Sequence, residues 1–396
     1  MPRPTVILRS SWQAINIGDI GHTPGALHII ETHLPDVDVV LWPCDVSLDV
    51  DKLLTRWFPR VPIVKGRLDA DGQPIEPELR DLFDRADFML HGSGPGPVAR
   101  KDVAAWSRNT GKPYGIYGVT IEKMPPELKQ LLTHAAFTYC RDTVSLQFIK
   151  DQGAACPIME FVPDATFGIH LRDDKTALAF LKEHDLEPGQ FICAIPRLRY
   201  TPYHKYGKVK WTEEHIRMVE SVNAETKAAD FAKLRDVIIA WVRETGKKVL
   251  VCPEMTYQLD IMDELVVDPL PADVKAKVVP RRTYWLPDEA CSVYAHALAL
   301  VSMEMHSPIM AAANGTPALH VRQPTDTCKG QMWADVGLGD WLFPIEEVTG
   351  DDIAKTLLAA HRDPAAARAH VADAMAFVGE RQAASMAALK AALGLG

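Results

Sequence analysis

Two stretches of this chain concentrate residues that can move protons or hold anions. In the first, Val301-Ser302-Met303-Glu304-Met305-His306-Ser307-Pro308 follows an apolar run at 297–301. A small-residue segment ending in Asn314-Gly315 comes next, and residues 318–321 are apolar again. This pattern predicts strand, loop, helix and strand, with Glu304 and His306 in the loop. Ligands of open α/β sheets bind in the crevice outside the carboxyl ends of the strands. Histidine titrates near neutral pH and a helix N-terminus favours negative charge, so the expected ligand is an anion. Alternatively, the segment is an ordinary strand-to-helix turn with a satisfied polar cap.

The second stretch, Asn16-Ile17-Gly18-Asp19-Ile20-Gly21-His22, lies between the first strand and the first helix. Gly18 and Gly21 allow tight turns, and Asp19 could take a proton from a hydroxyl, orient one, or act as a cap. His91-Gly92-Ser93-Gly94-Pro95-Gly96-Pro97 ends another strand, and its glycines would let backbone N–H groups, Gly94 among them, approach a ligand. Arg141, in Arg141-Asp142-Thr143-Val144-Ser145, and Asp164, in Pro163-Asp164, follow further strands. Either could contact a sugar or nucleotide, or the two could form an ion pair that braces the expected interdomain surface. In the second half, Arg197 and Arg199 open a basic and aromatic loop that includes Tyr203, His204, Lys205, Tyr206, Lys208 and Lys210. Arg322 and Lys329 follow a late strand. Guanidinium groups suit bidentate contact with phosphate or carboxylate, and the loop is either a lid or a solvated surface.

Positioning such residues needs strands that end together. Apolar runs predict strands over 5–8, 37–41, 88–91, 114–118, 137–140 and 158–162, separated by amphipathic stretches such as 24–33 and 143–152. A second set runs over 191–195, 249–252, 278–279, 298–302 and 318–321, with a long helix at 231–245. Strand–helix alternation of this kind predicts parallel sheets covered by helices. The expected architecture is α/β: two Rossmann-like domains facing across a cleft, of the glycosyltransferase-B type. The expected domains are residues 1–172 on the acceptor side and 189–345 on the donor side. A charged linker at 172–189 would join them, and a helical tail at 346–396 would pack on the body.

The 396 residues suit two domains of ordinary size, and no apolar run approaches the roughly 18 residues of a membrane span. No signal-peptide core precedes the first strand, so the expected location is cytoplasmic. A net charge of −9 argues against a nucleic-acid partner, which needs a basic face. The seven cysteines are dispersed without a C-x-x-C pair, and the histidines lack ligand spacing. Reduced thiols and no metal site are therefore expected. Homo-oligomerisation is left open.

Taken in order, Asn16-Ile17-Gly18-Asp19, residues 92–96, residues 141–145, Pro163-Asp164, residues 302–306 and Asn314-Gly315-Thr316-Pro317 resemble the polysaccharide pyruvyl transferase family. The resemblance spans roughly residues 14–340. It implies transfer of a pyruvyl group from phosphoenolpyruvate to a sugar or glycan precursor, often as a cyclic ketal on two hydroxyls, without an organic cofactor. By the same resemblance, His306 matches a histidine of donor binding and acid catalysis, and Arg197 matches a donor-domain arginine. The donor would lie among Arg197, Arg199, Met305, Arg322 and Lys329. The acceptor would lie among Asn16, Gly18, Gly94, Arg141 and Asp164, with Asp19 as base.

Glu304 departs from the family pattern, which usually has an arginine at this position. A unit-charge contact at about 4 Å is worth about 4 kcal/mol at an effective dielectric near 20, so the change of sign bears on the donor. Either a neighbouring cation supplies the charge or neutralises Glu304, or the donor differs. A glycosyltransferase with a nucleotide-sugar donor would use a carboxylate there on ribose or sugar hydroxyls. A catalytically silent glycan-binding protein would need neither donor.

Overall fold

The computed structural model describes residues 3–206 and 209–395, so Lys208 of the basic loop lies outside the described residues. Its contacts form two compact units. The first comprises Met1–Leu171, Ala334–Gly337 and Ala374–Gly396, and the second comprises Arg172–Trp333 and Leu338–Asp373.

The first unit is built on a parallel sheet of β1 (Thr5–Ser10), β2 (Asp38–Pro43), β3 (Phe88–His91), β4 (Tyr114–Val119), β5 (Phe137–Cys140) and β6 (Met159–Phe161). The strand order is β2-β1-β3-β4-β5-β6. Both faces of such a sheet are covered, so its strands read as apolar runs rather than alternating ones. In β4 every residue is buried. Beneath one face, Trp42, Phe83 and Trp106 meet edge to face.

The second unit carries β7 (Phe191–Ile195), β8 (Lys248–Val251), β9 (Val278–Pro280), β10 (Ala299–Ser302), β11 (Ala318–Arg322) and β12 (Leu342–Pro344). Its order, β12-β11-β10-β7-β8-β9, is the dinucleotide-fold order in which the first strand sits centrally and the chain reverses direction after the third. Thus both units are Rossmann-like.

Four expectations are corrected. The helix expected over 24–33 is Ile17–His33, so the 16–22 motif is its first turns and not a loop before it. Asn16 causes this, because its side chain accepts the Gly18 N–H and caps the helix. The long helix is Glu213–Thr245, started by a Thr212 cap far ahead of its apolar half. The 172–189 stretch contains the helix Asp174–Glu183, capped by Asp173. Finally, β11 is followed by β12, an edge strand whose three residues are too few to show a period. The C-terminal segment forms the helices Gly350–Arg362 and Pro364–Ala392. No described helix is long and apolar enough to cross a membrane.

The helix Ile17–His33 packs tightly on the turn Ala165–Gly168, and a Cβ on Gly25 would lie 2.0 Å from the Ala165 carbonyl oxygen. Gly25→Ala forces two backbones apart, which outweighs its better helix propensity. The expected loss is about 1–3 kcal/mol, read as a lower urea midpoint. An unchanged midpoint would show that the contact yields freely.

Candidate active site

In each unit, the chain reverses its direction of travel across the sheet between two neighbouring strands. That point opens a crevice at their carboxyl ends. In the second unit these strands are β7 and β10. Their register places Ile195 beside Ser302, so Arg197 and Glu304 emerge together. Arg197 Nε lies 3.3 Å from Glu304 Oε2. The same guanidinium donates through Nη1 to Asp326 Oδ1, which Lys329 Nζ approaches at 3.3 Å. Both ends of the Arg197–Asp326 pair are buried.

Arg197 is thus shared between two carboxylates, and they respond oppositely. Burial pushes the Glu304 carboxyl up to about 8; Arg197 opposes the rise, and Glu254 adds to it. Burial acts on Asp326 in the same direction, but Arg197 and Lys329 overcome it and hold that carboxyl well below its ordinary value. Burial would lower the Arg197 pKa, yet Asp326 and Glu304 raise it. Glu304 is therefore the weaker acid of the two and Asp326 the stronger. In its protonated form, which burial favours, Glu304 can donate a hydrogen bond where an anion would repel a phosphate or carboxylate. Gln258 fixes its orientation, donating from Nε2 to Glu304 Oε1 at 2.9 Å.

His306 starts the helix His306–Ala313, after Met305 in the cap position. Its Nδ1 is 3.5 Å from Glu254 Oε1. The other oxygen of Glu254 accepts the Ser307 N–H at 2.6 Å and the Ser307 hydroxyl at 2.7 Å. The helix N-terminus expected to attract a substrate anion is therefore held by the protein's own carboxylate. Burial favours the neutral acid of Glu254, but the bonds from His306 and Ser307 hold its pKa below the ordinary value. Glu254 was missed in the sequence, although it is the first carboxylate after the apolar run 249–252.

The remaining donor candidates divide. Arg199 is held bidentately by Asp230, at 2.8 and 3.0 Å, and by Glu346 at 2.6 Å. Its guanidinium is engaged away from Arg197 and Glu304. Arg322 lies along Gly330, where a Cβ would meet its Cδ at 2.5 Å, and it donates weakly to the Thr327 carbonyl. Met305 is fully buried. Beyond Arg197, the loop turns into the short helix Tyr203–Tyr206. A pocket of about 330 Å³ opens there, lined in part by Leu198, Tyr206, Asn223, Tyr257 and Asp260.

In the first unit, the reversal lies between β1 and β3. Asp19 stands in the first turn of the helix after β1, and its Oδ2 accepts the Gln13 amide at 2.5 Å. One turn further on, His22 places Nε2 3.9 Å from Asp19 Oδ1 and Nδ1 3.0 Å from Asp164 Oδ1. Arg141 donates to the other Asp164 oxygen at 2.7 Å and to Thr120 at 2.8 Å. This Arg141–Asp164 ion pair is buried. Of the acceptor candidates, Asn16 caps its helix and Gly18 supplies the capped N–H.

The loop after β3 differs from its expected role of offering N–H groups. The Gly92 N–H donates to the Arg9 carbonyl and the Gly94 N–H to the Gly118 carbonyl. What requires glycine at 94 is Trp12, whose indole Nε1 would lie 2.5 Å from a Cβ there. That nitrogen donates to the Ser93 carbonyl at 2.6 Å, and the ring stacks on His91.

The raised pKa of Glu304 gives a stability test with a definite sign. Between its ordinary value of 4.5 and about 8, the native state holds a proton that the unfolded chain has released. That stabilisation is present at low pH and is lost as pH rises through the folded value, by about 1.4 kcal/mol per pH unit. Relative to wild type, Glu304→Gln should flatten the urea-stability profile from pH 5.5 to 7.5 by about that slope. Parallel profiles would show that Glu304 is ionised in the native protein.

A family model described as polysaccharide pyruvyl transferase matches residues 16–323. No curated protein sequence matches significantly. The chain is similar to the structure of a putative UDP-N-acetylglucosamine 2-epimerase from Listeria monocytogenes, at 11% identity and a TM-score of 0.60 over 98% of this chain and 95% of that one. Anabaena HepE, in complex with UDP and glucose, gives 10% identity and 0.57 over 97% and 98%. Escherichia coli ADP-heptose LPS heptosyltransferase II gives 13% and 0.51 over 90% and 98%. Identities this low show a shared fold alone, that of the glycosyltransferase-B type.

Proposed function

The chain belongs to the polysaccharide pyruvyl transferase family, and from that premise we propose that it transfers a pyruvyl group from phosphoenolpyruvate to hydroxyls of a sugar or glycan precursor, forming a ketal. The observation that carries this proposal is the buried cluster at the ends of β7 and β10. There Arg197 lies between Glu304 and Asp326, Lys329 approaches Asp326, and burial weakens the acidity of Glu304.

Arg197 and Lys329 hold the phosphate and carboxylate of the donor, and neutral Glu304 donates to one of their oxygens. The departure from the family's arginine is thereby softened: a hydrogen-bond donor remains, although a unit of positive charge is lost. His306, oriented by Glu254, gives a proton to the methylene carbon, which makes the adjacent carbon electrophilic. Asp19 takes the proton of the acceptor hydroxyl as its oxygen bonds to that carbon. Phosphate then leaves and a second hydroxyl closes the ketal. Fixed dipoles and charges around the departing phosphate supply much of the rate enhancement.

Transfer from a nucleotide-sugar is the second possibility. It is supported by the pocket of about 330 Å³ beside Leu198 and Tyr257, which could hold a nucleoside beyond Arg197. A bound UDP in the HepE complex is a property of that protein, but it makes nucleotide-sugars the right competing probes.

Phosphate release from phosphoenolpyruvate with a panel of methyl glycosides tests the reaction. His306→Asn is expected to lower turnover by about 100-fold to 10,000-fold in a variant that still unfolds cooperatively, at a midpoint lowered by the loss of the Glu254 contact. Near-normal ketal formation by this variant would reject the acid role. A thermal shift with UDP-sugars and none with phosphoenolpyruvate would transfer the assignment to glycosyl transfer.

A further inference from the structure

We propose that His22, which has no part in the pyruvyl-transfer steps, is a positioning residue that accepts the proton Asp19 removes from the acceptor. This inference rests on the pyruvyl-transfer reaction and on Asp19 as its base. His22 is fully buried, one helical turn beyond Asp19 and on the same face. Its ring is tied on one side by Asp164 at 3.0 Å and Thr166 Oγ1 at 3.1 Å. Asp164 is itself fixed by Arg141 at 2.7 Å and by the Thr166 N–H at 2.8 Å. Within this unit the charged groups facing the ring are Asp19 from its own helix and Asp164 from the segment after β6. Arg141, after β5, acts through Asp164.

A buried aspartate holding one imidazole nitrogen sets the tautomer and leaves the other nitrogen to exchange a proton. Here Asp164 holds Nδ1, and Nε2 lies 3.9 Å from Asp19 Oδ1, longer than a hydrogen bond; such separations commonly tighten when substrate binds. A tie between helix and turn would need the Nδ1 side alone.

The chemistry supplies the reason for such a relay. A ketal forms from two hydroxyls, so a single base must be regenerated between two deprotonations. As the first acceptor oxygen bonds to the pyruvyl carbon, its O–H bond breaks and the proton passes to Asp19, then to His22 Nε2. The carboxylate is restored for the second hydroxyl. Of the two protons released, one balances the proton added to the methylene carbon and the other leaves with phosphate.

The test uses the full chain, phosphoenolpyruvate, methyl hexopyranosides with free 4- and 6-hydroxyls, and their 3-deoxy-3-fluoro analogues, whose neighbouring hydroxyl is more acidic. His22→Gln should lower kcat about 100-fold or more with each KM within about threefold, and the loss should shrink about tenfold on the fluorinated acceptor. A kcat within about threefold of wild type, or an equal loss on both acceptors, overturns the role. Asp164→Asn, read the same way, replaces His22→Gln if that variant does not fold. Imidazole ¹⁵N spectra read the coupling without turnover: Asp19→Asn should move the His22 Nε2 resonance, and an unmoved resonance overturns the inference. A wild-type protein that forms no ketal from phosphoenolpyruvate would instead reject the pyruvyl-transfer reaction, leaving the spectra to decide on His22.

Discussion

A parallel strand covered on both faces has little room for a charged side chain until near its end, and the buried Arg9, one residue before the end of β1, is there only with Asp102 as its partner. That constraint organises both units. Their strands are nearly continuous apolar runs, and polar groups cluster in the first few residues beyond the carboxyl ends. Ser11, Ser93, Arg197, Glu254 and Glu304 all appear within three residues of a strand end. The sheets' own connectivity then selects which of these ends separate enough to form a crevice.

Charges gathered at such a place are expensive to desolvate, so each must be balanced by a neighbour. In the second unit the balance is uneven: Arg197 is shared, Asp326 takes the stronger contact, and Glu304, less well paired, holds its proton more tightly. Glu254 is settled differently, by two Ser307 donors and His306. Three buried carboxyls within one site thus acquire different acidities from their partners, not from their residue type. Separated acidities of this kind are what acid–base chemistry uses.

The first unit balances its buried charges in a chain instead of a hub. Arg141, Asp164, His22 and Asp19 follow one another from the interior to the first helical turn. Removing one partner of a buried ion pair commonly costs about 3–5 kcal/mol, so such a chain also ties β5, the segment after β6 and the first helix together. Structural and chemical roles coincide here because the same bonds that anchor the helix orient the ring.

The strands other than β12 were legible because a short apolar run bounded by polar turns, repeated at regular intervals between amphipathic stretches, suits a buried parallel strand. Arg197, Glu304 and His306 were legible because they directly follow such runs. Asn16 and the glycines were located with two readings open, because a cap and a small-residue packing site look, in one dimension, like a ligand loop. Glu254, Asp326 and His22 were not legible as site residues. Glu254 and Asp326 are 53 and 129 positions from Ser307 and Arg197, and His22 is 142 from Asp164.

The amino-acid order alone determined the alternating elements, the two Rossmann-like sheets and the residues just past each strand, since period and chain adjacency are local properties. Only the tertiary structure decided which charge meets which, and hence that Glu304 is a weakened acid, that the His306 helix is capped from within, and that Asp19 has a histidine behind it. Proton affinity depends on burial and on partners brought in from distant strands, and neither is defined until the sheet has closed.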